Sequence, residues 1–388
     1  GGTRSLDAML CLLHAARRAP DADFLLLSAM LINGDDLAEW LGELTGRHAV
    51  FFHDPWKPSR QARGVVLYPQ DELNQFRRDV QNGMRPRPTY PATPHALFGL
   101  QQNWIAAAGT DTAVVKLMDE AVHLTTGAYG LQPTANTVAG VLAERASQAG
   151  LKTIIFVQQA DHAPSTARKI SERLMGPWRM TETEQGFAAD IAVELGTGKS
   201  LVQPQAGAVP HNGDMIPLER RLAESLYRRE GGAAPTVAPP TLAQGINLPA
   251  QVAILAGDKR SGADGERARL EQHELLNAAG RAGRAGFLAN GMVLLVPEPV
   301  IGFTPEQPAL AAYPKLLSIL PTDDRCVLVE DPIEHMLDQI QLGQVSARID
   351  YFVNRMRSGE PDEAGAAAVL LTRRSFGAFL ARKRGETI

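Results

Sequence analysis

The sequence predicts an α/β fold built on a parallel sheet, and three observations carry that prediction. Short apolar runs alternate with helix-period patterns from Thr134 to Val296, the order of β-α units. The strongest runs are apolar at nearly every position, as strands covered on both faces must be. Hydrophobic residues are 44% and charged residues 21% of the 388, enough to bury a core without disulfides or metal. A chain this long exceeds one ordinary domain, so two or three units are expected.

In chain order, Ser5 caps a helix whose apolar positions Leu6, Met9, Leu10 and Leu13 recur at helical spacing and which closes on Arg17 and Arg18 before Pro20. The continuous run Phe24 to Leu27 reads as a buried parallel strand, and Asp35 to Leu44 as a helix after an Asn-Gly turn. From Val50 to about Thr112 many prolines break the pattern. That stretch reads as a connector with a strand at Val65 to Tyr68 and a basic run, Lys57, Arg60 and Arg63, placed to face phosphate or solvent.

The alternating region then gives helices over 134–148, 163–175, 217–229 and 267–279. Strands fall at 153–157, 252–256 and 292–296, with a weaker one at 235–238. After Pro299 the pattern changes to short helices and a basic tail, Arg373 to Arg384, which predicts a separate small domain.

A formal charge of -4 excludes a protein that holds nucleic acid by bulk attraction, so any such binding uses a local patch. Cys11 and Cys326 match no zinc spacing and read as two buried thiols in a reducing cytoplasm. No apolar run reaches the roughly 18–20 residues of a membrane span. The scattered histidines show no metal-ligand spacing, and no GxSxG elbow is present. The opening Gly-Gly, running at once into a helix, reads as a cut from something longer.

Two stretches carry chemistry. Asn277-Ala-Ala-Gly280-Arg281-Ala-Gly283-Arg284-Ala-Gly286 ends a helix and leads to a strand. Guanidinium forks suit the charge that builds on a transferring phosphoryl group, and glycines let backbone approach a ligand. Upstream, Pro240-Thr241-Leu-Ala-Gln-Gly245-Ile-Asn247-Leu-Pro249-Ala250 leaves the carboxyl end of a strand, where α/β folds bind ligands.

Together these stretches resemble motifs five and six of superfamily-two DExH helicases, most closely the superkiller-like branch. Other pieces follow in that family's order. Leu27-Ser28-Ala29-Met30 with Asp36 to Gly42 resembles motif three and its helix, and Ile154 to Val157 resembles motif four. Val209-Pro-His211-Asn-Gly213 with Arg220 resembles the His-x-Gly segment, and Arg373-Arg374-Ser375-Phe376-Gly377 the helical or winged-helix end.

The resemblance implies a RecA-like parallel sheet. Residues 1–60 would end a first RecA-like domain, 61–114 connect, 115–300 form a complete second RecA-like domain, and 301–388 form an accessory domain. It implies Arg281 and Arg284 as arginine fingers, Gly245, Asn247 and Gly280 toward the nucleotide, and Ser28 and Ala29 as the coupling pair. Thr241, Arg220, His211 and Gly127 would lie toward the nucleic-acid backbone. ATP and Mg2+ would be held mainly by the missing first domain, and the partners would be DNA or RNA, with accessory proteins.

The chain departs from the pattern at Met30, Pro239 and Asn277, where the family has threonine, threonine and glutamine; two hydroxyls are lost, and proline also removes a backbone donor. Neither a Walker A loop nor the acidic magnesium motif is found. Gly196-Thr-Gly198-Lys199-Ser200 imitates a P-loop, but its required first glycine falls at Val193 and Leu-Val-Gln-Pro follows in place of a helix. The expected activity is ATP-driven movement on nucleic acid by the intact protein. The alternatives are a helicase-derived binding module without turnover and a P-loop enzyme using Lys199.

Overall fold

The computed structural model describes residues 3–28, 30–53, 60–99, 104, 112–127, 130–174, 179–203, 206–240, 248–261, 267–283, 290–304, 316, 319–320, 327–329 and 373–385. In order these form α1 (Thr3–Arg18), α2 (Gly34–Thr45), β1 (Arg60–Pro69), α3 (Gln70–Gln81), β2 (Thr89–Ala92), β3 (His95–Gly99), β4 (Thr112–Lys116), β5 (Val122–Gly127) and β6 (Gly130–Gln132). There follow α4 (Ala135–Gln148), β7 (Thr153–Val157), α5 (His162–Ser171), α6 (Glu182–Leu195), β8 (Val209–Pro210), α7 (Pro217–Arg228) and β9 (Pro235–Ala238). The remainder are β10 (Val252–Ala256), β11 (Lys259–Ser261), β12 (Arg267–Arg269), α8 (Gln272–Ala279), β13 (Asn290–Val296), β14 (Gly302–Phe303) and α9 (Phe376–Lys383).

The chain divides into two compact units, residues 56–324 and residues 1–55 with 325–388. The larger holds a sheet of order β4-β3-β1-β13-β10-β7-β9-β8, with β14 beside β1. From β1 to β8 every pairing is parallel; β3 and β4 extend the β1 edge as an antiparallel hairpin. This is a mixed α/β fold with a large, mostly parallel central sheet, and it fits a RecA-like domain.

Both faces of the centre are covered, which explains the unbroken apolar runs. Ile155, Val157, Ile254 and Leu294 pack under α4 and α5 with Val138, Leu142 and Ala167. Ile154, Phe156, Leu255 and Leu295 face the other way, toward Leu275 and Ala278 of α8. Side chains alternate along a strand, so a sheet covered twice needs apolar residues at every position. Each Ile or Leu so buried contributes about 1.5–3 kcal/mol relative to exposure.

Several expectations change. The connector supplies β1, which pairs with β13 in the centre of the sheet, as well as the helix α3 and a second sheet of order β2-β5-β6. Arg267 to Arg269 is not the start of a helix but the return strand of a hairpin with β11, and α8 begins only at Gln272. Arg63 is 6% exposed and so does not form a basic surface with Arg60; Lys57 lies outside the described residues.

In the smaller unit, α1 begins at Thr3, two residues before the expected cap. Met9, Leu13, Trp40, Leu41 and Leu44 form a core with Phe376 and Phe379, so α9 packs on α2. The Trp40 indole donates to the Arg374 carbonyl at 2.9 Å, Arg374 donates to the Leu44 carbonyl at 2.7 Å, and Ser375 caps α9 through the Ala378 N–H at 3.1 Å. Phe24 to Leu27 is not a strand: Leu25 and Leu27 are 80% and 85% exposed. An apolar run forms a buried strand only where neighbours take up its hydrogen bonds, and the ladder contact described here is the bridge of Leu31 with Val327. Cys11, expected in the interior, is exposed; Cys326 lies outside the described residues. Among the described residues no helix is long and apolar enough to cross a membrane.

Candidate functional site

The best-built polar feature of the larger unit is the turn after α8. The helix stops at Ala279 and the Gly280 N–H closes on the Leu276 carbonyl at 2.8 Å, leaving Gly280 exposed and Arg281 half-buried. The next residues enter the sheet's edge. Ala250 N–H donates to the Arg281 carbonyl at 3.2 Å and Gly283 N–H to the Ala250 carbonyl at 3.0 Å, a parallel bridge centred on Ala250 and Ala282. The end of the Pro240–Ala250 stretch and the Gly-Arg turn, read separately in the sequence, are thus bonded to each other.

Two further contacts fix the turn. Gln61 Nε2, reaching over from β1, donates to the carbonyls of Ala279 at 3.1 Å and Ala282 at 2.6 Å. Arg63 in turn donates to Gln61 Oε1 from Nε at 3.2 Å and from a terminal nitrogen at 3.1 Å. Gly283 has φ +63°, and a β-carbon there would sit 2.8 Å from the Gly291 nitrogen; one on Gly291 would sit 2.5 Å from the Gly283 nitrogen. The two backbones touch, so neither position accepts a side chain without displacing the turn.

This turn lies at the amino edge of the parallel strands, beside the first residues of β1, β10 and β13. At the carboxyl edge, β8 leads into His211, which is 3% exposed and bonded through Nε2 to Glu224 at 3.1 Å. Burial lowers the His211 pKa; Glu224 opposes that shift, and Arg220 and Arg228 add to it. Arg220 is half-buried on α7. Next to His211, Asn212 donates to the Ala160 carbonyl at 3.1 Å, joining the end of β8 to the turn before α5.

The remaining expected residues scatter. Gly127 closes the β5–β6 hairpin in the separate three-stranded sheet, where a groove of about 810 Å³ is lined by Phe76, Val80, Arg85 and Arg87. Ser28 is exposed in the smaller unit. Ala29, Thr241, Gly245, Asn247 and Arg284 lie outside the described residues, so Arg281 is described without its expected pair. After Ser200 no helix follows among the described residues, and the next element is β8; Lys199 therefore does not stand in a strand-loop-helix phosphate cradle.

Sequence reasoning missed Gln61 and Gly291. Neither carries a local signal, because each acts on a turn joined to it only by the pairing of β1 with β13.

No protein-family model matches the chain. The chloroplastic DExH-box ATP-dependent RNA helicase DExH15 of Arabidopsis thaliana is 38% identical over 106 residues, 27% of this chain and 8% of that protein. The antiviral helicase SKI2 of Saccharomyces cerevisiae is 32% identical over 92 residues, 24% of this chain and 7% of that protein. The chain is helicase-related over that part of its length. The matched stretches amount to less than a tenth of either relative.

Proposed function

We propose that this chain is the second-domain half of an ATP-driven nucleic-acid motor. Residues 115–300, with β1, form the second RecA-like domain, and residues 1–60 end the first. The exposed segment Phe24 to Leu27 then faces the phosphate-gripping half, which accounts for the exposure of Leu25 and Leu27. Residues 301–388 supply the accessory helical or winged-helix part.

The observation that carries this reading is the Arg281 turn, clamped by Gln61, by Ala250 and by the Gly283–Gly291 contact. A guanidinium stabilises the charge of a transferring phosphoryl group only if its position is set before the reaction. When ATP and Mg2+ are bound by the first domain, closure of the two domains brings Arg281 and Arg284, as arginine fingers, to the γ-phosphate. Hydrolysis releases them. Gly245, Asn247 and Gly280 couple the nucleotide to the interface, and Ser28 and Ala29 pass the change to the first domain. Thr241, Arg220 and Gly127 lie along DNA or RNA, with His211 behind them as a buried support for Glu224.

The test is nucleic-acid-stimulated ATP hydrolysis by this chain alone and by the chain joined to a segment bearing the Walker A and DExH motifs, each with and without Arg281→Ala. Turnover by the joined form alone, abolished by the substitution, supports the motor. Turnover by neither form favours a helicase-derived binding module, the reading that Met30 and Pro239 support through their missing hydroxyls.

A further inference from the structure

The Gly196–Ser200 loop has no part in the motor described above, yet it forms one wall of a cleft of about 390 Å³ whose other wall is α5. The cleft runs along α5 beside the edge strand β8, from Asp161 and Pro210 at one end to Ser171, Ala206 and Ala208 at the other.

Arg168 from α5 and Lys199 from the loop both line the cleft, and both are exposed. Neither has an ion pair or side-chain hydrogen bond among the described residues. The one carboxylate among the lining residues is Asp161, so two cations share the cleft with a single acid. Like charges converging in a concave site focus a positive potential that an anion relieves.

The loop that presents Lys199 is fixed. Glu219, 2% exposed, accepts from Ser200 Oγ at 3.0 Å and the Leu201 N–H at 2.7 Å through one oxygen, and from the Ile216 N–H at 3.2 Å through the other. Its charge is occupied by these donors and faces the loop's own backbone. Gly198, with φ +77°, lines the cleft with open space where a side chain would stand, so backbone is open to a ligand there. A planar guanidinium fork opposite a mobile ammonium matches a tetrahedral group with several oxygens better than a flat carboxylate.

We propose that the Arg168–Lys199 cleft is a phosphate-binding site. On the motor reading, on which this assignment of the source rests, the group bound is a backbone phosphodiester of the nucleic acid, held between α5 and the Lys199 loop beside the edge strand β8. The shared chemistry also admits a free phosphate.

The test measures binding of the full chain to a labelled single-stranded oligonucleotide by fluorescence anisotropy between about 50 and 200 mM salt. Wild type is compared with Lys199→Ala, Arg168→Ala, the double variant and Lys199→Arg. The double variant is expected to make the plot of log affinity against log salt shallower by about 0.7, the value of one single-strand phosphate contact, and each single alanine by part of that. The loss should be alike across oligonucleotide sequences, and Lys199→Arg should restore the slope. A parallel series adds inorganic phosphate at constant ionic strength; displacement of the oligonucleotide from wild type but not from the double variant assigns the site to free phosphate as well.

All substituted side chains are exposed, so unchanged melting temperatures check that folding is intact. If neither probe shows any dependence on Lys199 and Arg168, the site does not exist. Failure of the joined protein to hydrolyse ATP sinks the motor but leaves this slope standing, so the two ideas fail separately.

Discussion

Gln61 and Ala282 are joined by a 2.6 Å hydrogen bond from side-chain amide to backbone carbonyl, and the same amide holds Ala279 at 3.1 Å. The partners are 221 positions apart in sequence for the shorter bond, so a strand laid down early in the chain fixes a turn made late. Replacing Gln61 by alanine removes the side-chain donor to the Ala282 carbonyl and one of two donors to the Ala279 carbonyl, which keeps the Ala282 N–H at 3.1 Å, and takes away one acceptor of Arg63. We expect a loss of about 1–3 kcal/mol in urea unfolding of the larger unit. Gln61→Glu should cost at least as much, because it sets acceptor against acceptor; a neutral result for both would show that the turn stands without the clamp.

Gly283→Ala and Gly291→Ala should each lower stability, the first by about 1–3 kcal/mol from its left-handed backbone alone and more from contact with Gly291. Gly213→Ala is the control, since open space surrounds it and its φ is ordinary. Thermal unfolding of the three variants side by side decides the matter; equal melting points would mean the two backbones do not touch.

Arg281→Ala in the joined protein should reduce stimulated ATP turnover by about a thousandfold or more, the scale of a lost arginine finger. Arg281→Lys should recover little, because an ammonium does not reproduce the fork. Steady-state ATPase rates test this, and a fall smaller than tenfold for the alanine variant would remove Arg281 from the chemistry.

The His211 pKa is lowered in the folded chain, chiefly by burial. The unfolded chain therefore binds the proton more readily. Stability from this group is complete above the unfolded value near 6.5 and declines as pH falls toward the lower folded value. Denaturant midpoints measured across this range should drop more in wild type than in His211→Gln, and parallel curves would contradict the assignment.

Much of the fold could be read from residue patterns. β7 and β10 match their expected bounds because both faces are buried and every position but Thr153 is apolar. α7 is marked by Pro217 at its start and by a stripe through Leu222, Ala223 and Leu226. The same apolar signal failed at Phe24 to Leu27, since pattern records hydrophobicity and not whether a neighbouring strand is there. α6 was missed because its apolar residues make no clear stripe, although the Thr181–Glu184 capping box was present to mark its start. The candidate site was half legible: Gly280 and Arg281 announce themselves, while Gln61, Arg63 and Gly291 gain meaning only when β1 and β13 lie side by side.

The central strands β7 and β10 are five residues long. At about 3.3 Å per residue, the sheet holds its two working rims some 17 Å apart. The Arg281 turn occupies one rim and His211, after β8, the other, with stiff, doubly covered strands between them. On the proposed motor the sheet is thus a ruler: whatever is gripped at one rim stays at a fixed remove from what is sensed at the other, and a signal passing between them has to travel as movement of the whole slab.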